Sequence, residues 1–376
     1  MAATFILLLT TGAIQLKPLD NDIYKGAHIK LLSKEVALVG LGGPFGRPKF
    51  PIRSFLNTYT VLLLKFTKDF KSYEIMNILE ISQLDKESRD HNSNESIFEI
   101  CPNKKCLLVK PWVTSKLYII EISNDLLRLS SSFEYNSIAE SFSLLSIVPS
   151  KFLNKFVLNY LGVNHHNNAF ENMILICTLS EGKFSVTKKI IFKNTYKQIW
   201  KGCLFGKDSL ALITSEKITV INLTTEQPEE PSYNFYFTRK KRRIGPRFDI
   251  DDCWFQQDSE NHIQAFVAAP YNQLIQIGIK KTPEIEFQDI DTREFFGDTR
   301  YCPYICCDST NLLLCTKFGG DYEVFYYKVR RKKKDVLLYV STSYEEIRSF
   351  STVASLGILL IYKDQSISLV PFCLDE

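Results

Sequence analysis

The cysteines and two runs of consecutive cations are the residues of this chain best equipped for chemistry. Cys302, Cys306, Cys307 and Cys315 fall in YCPYICCDSTNLLLC. A zinc centre asks for ligands in two pairs, each pair spaced by about two to four residues. One spacing here fits, and Cys315 sits in an apolar run, so these read as buried thiols. Cys101 and Cys106 flank Pro102-Asn103-Lys104-Lys105 with no second pair nearby. Ten irregularly spaced cysteines in 376 residues do not have the density of a disulfide scaffold. They are expected reduced, in an intracellular protein, and no metal or other cofactor is expected.

The remaining candidates for catalysis are weaker. His165 and His166, between asparagines, read as an exposed turn. Leu41-Gly42-Gly43-Pro44-Phe45-Gly46 is glycine-rich but lacks the Lys-Ser/Thr end of a phosphate loop, and Pro48 and Pro51 forbid the helix that would follow. It reads as a wide turn. Asp249, Asp251 and Asp252, with Asp289 and Asp291, could serve glycoside chemistry if they faced each other; solvated loop carboxylates are the plainer reading. No H-E-x-x-H, G-x-S-x-G or Walker A pattern occurs.

The cationic runs are the binding candidates: Arg239, Lys240, Lys241, Arg242 and Arg243, then Arg330, Arg331, Lys332, Lys333 and Lys334. Consecutive cations repel one another, and an acidic protein surface, phosphate or a nuclear import receptor would relieve that. The first run follows the acidic, Pro-punctuated stretch Glu226 to Pro231 and the aromatics Tyr233, Phe235, Tyr236 and Phe237. It is expected on an exposed loop, its base anchored by those aromatics or by their stacking on a partner, without strand pairing before Phe248. The net charge of +4 is too small over this length to imply nucleic acid by itself.

Short apolar strands position these residues. In Gly202 to Thr225, Leu210 to Thr214 and Ile218 to Leu223 flank a polar turn, a β-hairpin pattern. Similar pairs begin at Val61, Leu107, Met173, Ile263, Leu312 and Ile358, with a mean repeat of about 50 residues. Abundant Phe (27) and Tyr (18) suit pleated, half-buried surfaces. A four-stranded unit alone would leave two open edges and two apolar faces. Packing such units radially covers the faces.

By this rhythm the chain resembles the WD40-like β-propellers. Gly202 to Thr225 has the outline of a WD blade, with Ile221-Asn222 where Trp-Asp would stand, and Ile120-Glu121 at the equivalent place in the second hairpin. No Gly-His pair opens a blade. The resemblance implies an all-β fold: a single seven-bladed β-propeller over residues 1–376, with eight blades as the alternative. Phe5 to Leu9 are expected to form a first strand that closes the ring by pairing with the last hairpin, although MAATFILLLTTGAIQ could also pass for a signal peptide. Glu35 to Val39 would be an inner strand. Loop insertions are expected near 82–96, 123–155 and 226–247, with a short helix within Asn136 to Leu145. The sequon at Asn222 falls inside the hairpin, which argues against a glycan there.

No apolar run approaches the ~18 residues that span a membrane, so no membrane segment is expected. A repeat scaffold without a catalytic motif is expected to be a non-catalytic protein–protein interaction scaffold, a subunit of a larger intracellular complex with other proteins as partners, nuclear rather than cytoplasmic. One alternative is a nucleic-acid-associated subunit that uses both cationic runs. The other is a propeller-fold hydrolase.

Overall fold

A computed structural model describes residues 14–16, 24–33, 35–44, 58–68, 72–82, 97–111, 116–123, 125–133, 142–164, 169–195, 198–235, 237–239, 242–244, 252–269, 273–282, 284–294, 301–307, 311–318, 321–328, 337–343, 347–353, 357–362 and 367–371. Every regular element among them is a β-strand. The chain divides into two compact units, one made of Met1–Tyr135 with Gly319–Glu376, the other of Asn136–Phe318.

The first unit begins with β1 (Ile14–Leu16). The strands β2 (Tyr24–Leu31), β3 (Val36–Pro44), β4 (Thr58–Phe66) and β5 (Tyr73–Ser82) then form one antiparallel sheet in chain order. So do β6 (Ile97–Ile100), β7 (Cys106–Lys110), β8 (Leu117–Ser123) and β9 (Leu126–Phe133). Alternation along β4 aims Tyr59, Val61 and Leu63 at one face. There they meet Phe98, Leu107, Val109, Tyr118 and Ile120 of the next sheet. Gly40 permits this approach. A Cβ on it would lie 2.2 Å from the Tyr59 hydroxyl and 2.6 Å from Phe98 Cε2.

The second unit repeats the plan. Its sheets are β10 (Phe142–Pro149), β11 (Lys155–Asn164), β12 (Ala169–Ser180) and β13 (Lys183–Thr195); then β14 (Ile199–Phe205), β15 (Ser209–Thr214), β16 (Lys217–Asn222) and β17 (Pro228–Asn234). A two-stranded ladder follows, β18 (Phe237–Arg239) with β19 (Arg242–Ile244). The third sheet is β20 (Asp252–Ser259), β21 (His262–Ala269), β22 (Gln273–Thr282) and β23 (Glu284–Glu294). The pair β24 (Tyr301–Cys307) and β25 (Asn311–Phe318) completes this unit.

The chain then returns to the first unit with the antiparallel pair β26 (Asp321–Lys328) and β27 (Leu337–Ser343). Its last strands are β28 (Ile347–Val353), β29 (Gly357–Tyr362) and β30 (Ile367–Pro371), and β1 adds to β30 as the fourth strand of that sheet.

The middle sheet of the second unit shows why β15 reads as a continuous apolar run. Leu204, Leu210, Leu212 and Ile221 pack on Val157, Ile174 and Ile176 of the preceding sheet. Residues of opposite parity, Phe205, Ala211, Ile213, Ile218 and Val220, pack on Phe255, Ile263, Ala265 and Ile277 of the following one. Both faces are covered, so both parities must be apolar. Burying each of the Val, Leu, Ile and Phe side chains among them contributes roughly 1.5–3 kcal/mol.

Several expectations are corrected. The strand that joins the last sheet is Ile14–Leu16; Phe5 to Leu9 lie outside the described residues. The expected insertion at 123–155 holds β9, β10 and the start of β11. Phe142 to Leu145 belong to β10 rather than to a helix, because Phe142, Ser143 and Leu144 pair with Gly162, Leu161 and Tyr160 and Leu144 is buried there. The insertion at 226–247 holds β17, β18 and β19. That expected near 82–96 begins with Ser82 in β5, and 83–96 lie outside the described residues. Leu41 to Pro44 continue β3 instead of turning, because strands on both sides claim them: Gly42 pairs with Lys25 and with Tyr59.

Candidate interaction site

The first cationic run lies between the last strand of one sheet, β17, and the first strand of the next, β20. Arg239 ends β18 and Arg242 and Arg243 open β19, with Arg239 paired to Arg242 and Thr238 to Arg243. This overturns the expectation of unpaired chain up to Phe248. Backbone hydrogen bonding in the ladder outweighs the repulsion of like charges at directly opposed positions, a cost of a few tenths to about 1 kcal/mol. Lys240 and Lys241, and the whole second run Arg330, Arg331, Lys332, Lys333 and Lys334, lie outside the described residues.

Two of the aromatics before the run, Tyr233 and Phe235, anchor its base, while Tyr236 lies outside the described residues. Phe235 is buried in the core between the two flanking sheets, and its N–H donates to the Glu216 carbonyl at 2.8 Å. Tyr233 packs edge-on against Phe235, with centroids 6.2 Å apart, and lies 5.8 Å from the ring of Phe287 in β23. The Arg239–Arg242 ladder therefore follows directly on a fixed aromatic point that touches both neighbouring sheets. Upstream, Asn222 Oδ1 accepts from the N–H groups of Thr224 and Thr225 at 2.8 and 3.2 Å. Its side chain thus serves the turn that follows β16.

The other candidates are dispersed. Asp252 opens β20, while Asp289 and Asp291 lie in β23, three strands away across the same sheet. At about 4.8 Å per strand this is roughly 14 Å, beyond the ~5–9.5 Å of a glycosidase carboxyl pair. Asp249 and Asp251 fall outside the described residues, as do His165 and His166. In the β24–β25 pair, Tyr304 stands opposite Cys315, and Cys306 and Cys307 stand opposite Leu313 and Leu312. Among the described residues no group of three His, Cys, Asp or Glu side chains could hold a metal.

Sequence reasoning missed two polar clusters in the second unit. Asp258 accepts from Gln264 Nε2 at 2.5 Å, Gln256 Nε2 at 3.3 Å and His262 Nδ1 at 3.1 Å, and Gln276 Nε2 donates to Gln264 Oε1 at 2.8 Å. Gln264 and Gln276 are buried. The signal was available: glutamines interrupt the apolar strands WFQQD, HIQAF and LIQIG. Such a chain stabilises only when its members are satisfied together. It has the carboxylate–imidazole half of a nucleophile-activating triad.

The second cluster clasps two sheets. Lys281 Nζ lies 2.7 Å from Asp208 Oδ1, 2.5 Å from Ser209 Oγ and 3.4 Å from Glu229 Oε1. The hydrogen bond from Lys281 holds the Asp208 carboxyl below its ordinary range. Nearby, Gly206 turns at φ +61°, which glycine adopts freely, and donates to the Glu260 carbonyl at 2.6 Å.

No family model matches the chain, and no curated protein matches it. Solved structures do. The WD40 domain of Toxoplasma gondii coronin is similar over 100% of this chain and 90% of its own, at 10% identity and a TM-score of 0.52. The C-terminal WD40 domain of Sif2 is similar over 96% of this chain and 98% of its own, at 10% identity and 0.53. A putative 6-phosphogluconolactonase from Bacteroides fragilis is similar over 88% of each chain, at 12% identity and 0.51. At such identities the likeness is one of fold. Because it spans domains of different kinds, fold alone does not choose among functions.

Proposed function

We propose that this chain, which has the fold of the WD40-like β-propellers, is a non-catalytic protein–protein interaction scaffold and a subunit of a larger complex. One observation carries the reading. The middle sheet of the second unit spends both faces on its neighbours, yet an extra two-stranded ladder is inserted before the next sheet and holds Arg239, Arg242 and Arg243 of the cationic run. That ladder stands as a sheet of its own beside the four-stranded ones, and it begins beside a buried aromatic anchor. Its chemistry suits an acidic protein segment. A nuclear location fits the same run, read as an import signal.

The same cations favour one second reading, contact with nucleic acid, and salt dependence separates the two. The experiment replaces Arg239, Lys240, Lys241, Arg242 and Arg243 together by Ser in the full chain, followed by affinity purification with mass spectrometry and cell fractionation. Loss of specific co-purifying proteins supports the scaffold. Association with nucleic acid that weakens steeply with salt, and loses slope in the variant, supports the second reading. Unchanged partners, location and salt response would remove the ladder from the binding surface.

A further inference from the structure

Cys101 and Cys106 close one hairpin of the first unit. The ladder β6–β7 ends with Ile100 opposite Leu107, so the next opposed pair is Cys101 and Cys106. The Cys101 N–H donates to the Cys106 carbonyl at 2.9 Å. Opposed residues at such a position have Cα atoms about 5.5 Å apart, inside the ~4.4–6.8 Å span that a disulfide bridges. Both thiols are free, and they hydrogen-bond each other. Cys101 is buried, while Cys106 is partly exposed.

The turn between them is pinned. Lys104 takes φ 57° and its N–H donates to the Cys101 carbonyl at 2.8 Å. Asn103 Oδ1 accepts from the Lys105 N–H at 2.9 Å, and Lys104 Nζ reaches the Leu32 carbonyl at 2.9 Å. The thiols are held face to face rather than meeting by chance. They are also made unequal. The Cys101 hydrogen bond draws Cys106 below the ordinary thiol range against burial and the opposed Glu121, with help from Lys105. The same bond, burial and Glu99 push Cys101 up. A partly exposed thiol with a lowered pKa, beside a buried one pushed up, is the arrangement of a nucleophilic and a resolving cysteine.

We infer that Cys106 is an oxidation site for hydroperoxides and that Cys101 resolves it into a reversible disulfide across the hairpin. In the first step the Cys106 thiolate attacks the hydroperoxide. An S–O bond forms, the O–O bond breaks, and hydroxide or alkoxide leaves and takes up a proton. In the second, Cys101 attacks the sulfenic sulfur: the S–S bond forms, the S–O bond breaks, and the Cys101 proton leaves with the hydroxyl as water. Two thiols and one hydroperoxide give one disulfide, one water and one water or alcohol.

The test uses the full chain, reduced, treated with hydrogen peroxide, alkylated with N-ethylmaleimide and digested without reduction for mass spectrometry. A Cys101–Cys106 link lacking two hydrogens is expected, and a thiol reductant should remove it. Cys177 and Cys203, both buried and pushed up to about 12, are controls within the same molecule; Cys106 should alkylate at least about tenfold faster than either. In Cys101→Ser, a diketone probe should trap a sulfenic acid on Cys106. In Cys106→Ser, Cys101 should stay reduced. Absence of the link, a first sulfenic acid on Cys101, or alkylation of Cys106 no faster than Cys203 would each overturn the inference. The wild-type alkylation rates hold that test open even if a serine variant fails to fold.

Discussion

Protonating His28 should weaken the first unit. His28 sits in β2 opposite Gly40, its ring stacked on Phe98 with centroids 5.6 Å apart and planes 7° from parallel. Burial, aided by the charge of Lys30 on the same strand, lowers its pKa from 6.5 to about 4. Above pH 6.5 the folded and unfolded chains are both neutral here, and nothing is at stake. Between pH 6.5 and about 4 the unfolded chain takes up the proton and the folded chain resists, so stability falls as pH falls through that window. Linkage puts the loss at about 2 kcal/mol by pH 5, with the remainder, to a total of roughly 3, complete below pH 4. The carboxylates of the chain also respond to acid, so the comparison must be with His28→Gln, which cannot titrate. Denaturant unfolding at pH 7.5 and 5.0, followed for both proteins, should give a double difference near 2 kcal/mol. A histidine-selective NMR titration of the native protein, with the His28 signal assigned by its loss in the variant, should show it neutral at pH 5. A His28 midpoint near 6.5, or equal acid sensitivity of the two proteins, would refute the reasoning.

Gly40→Ala should cost about 1–3 kcal/mol or more, because the new Cβ meets the Tyr59 hydroxyl and Phe98, both buried. Adding Tyr59→Phe, which removes a buried hydroxyl without a hydrogen-bond partner among the described residues, should recover part of that loss; thermal melts of the single and double variants decide it. Lys281→Met should destabilise by about 1 kcal/mol by removing the cation shared by Asp208 and Glu229. The wild-type advantage should be present above the ordinary carboxylate range and fade as pH falls through the lowered Asp208 value, so equal acid melts at pH 7 and at pH 3 would contradict the clasp. Deleting residues 2–16 should lower the melting temperature and promote aggregation by baring the β30 edge, whereas deleting 2–13 spares that pairing; identical melts for the two truncations would deny β1 its part.

Much of the architecture was legible in short apolar runs, but their position within a sheet was not. Val61 and Met173 lie in third strands, whereas Leu107, Leu210 and Ile263 lie in second strands. Mixing the two made the interval after Leu107 look like an insertion. From β7 onward, second strands begin at Cys106, Lys155, Ser209 and His262, a steady step of about 50 residues. The strand passed over was β11, KFVLNYLGVN, whose apolar run is broken by Asn159 and Tyr160. Asn159 is buried because its Nδ2 donates to the Ile199 and Trp200 carbonyls at 2.6 and 3.2 Å, a reason that lies in the next sheet and leaves no local mark. Similarly β2 hides behind His28 and Lys30, which a half-buried strand accepts once Phe98 and Glu99 arrive from elsewhere in the chain. The aromatic anchor at Tyr233 and Phe235 was readable from composition. The Arg239–Arg242 pairing was not, because charge repulsion is visible locally and ladder bonds are not.

The pairing of β1 with β30 sets a timetable for synthesis. Ile14 meets Leu369, so the partner of the first strand is translated about 350 residues after it. At roughly 5–20 residues per second, β1 waits some 20–70 s after leaving the ribosome before β30 exists. Bringing the two together then closes a loop of most of the chain, at an entropic cost of about 5 kcal/mol. During that interval the nascent chain carries an unmatched β1, and once β28 to β30 have emerged their sheet is one strand short. Chaperone engagement should therefore persist until β30 has emerged, and ribosome-bound chains stalled before Ile367 should retain it.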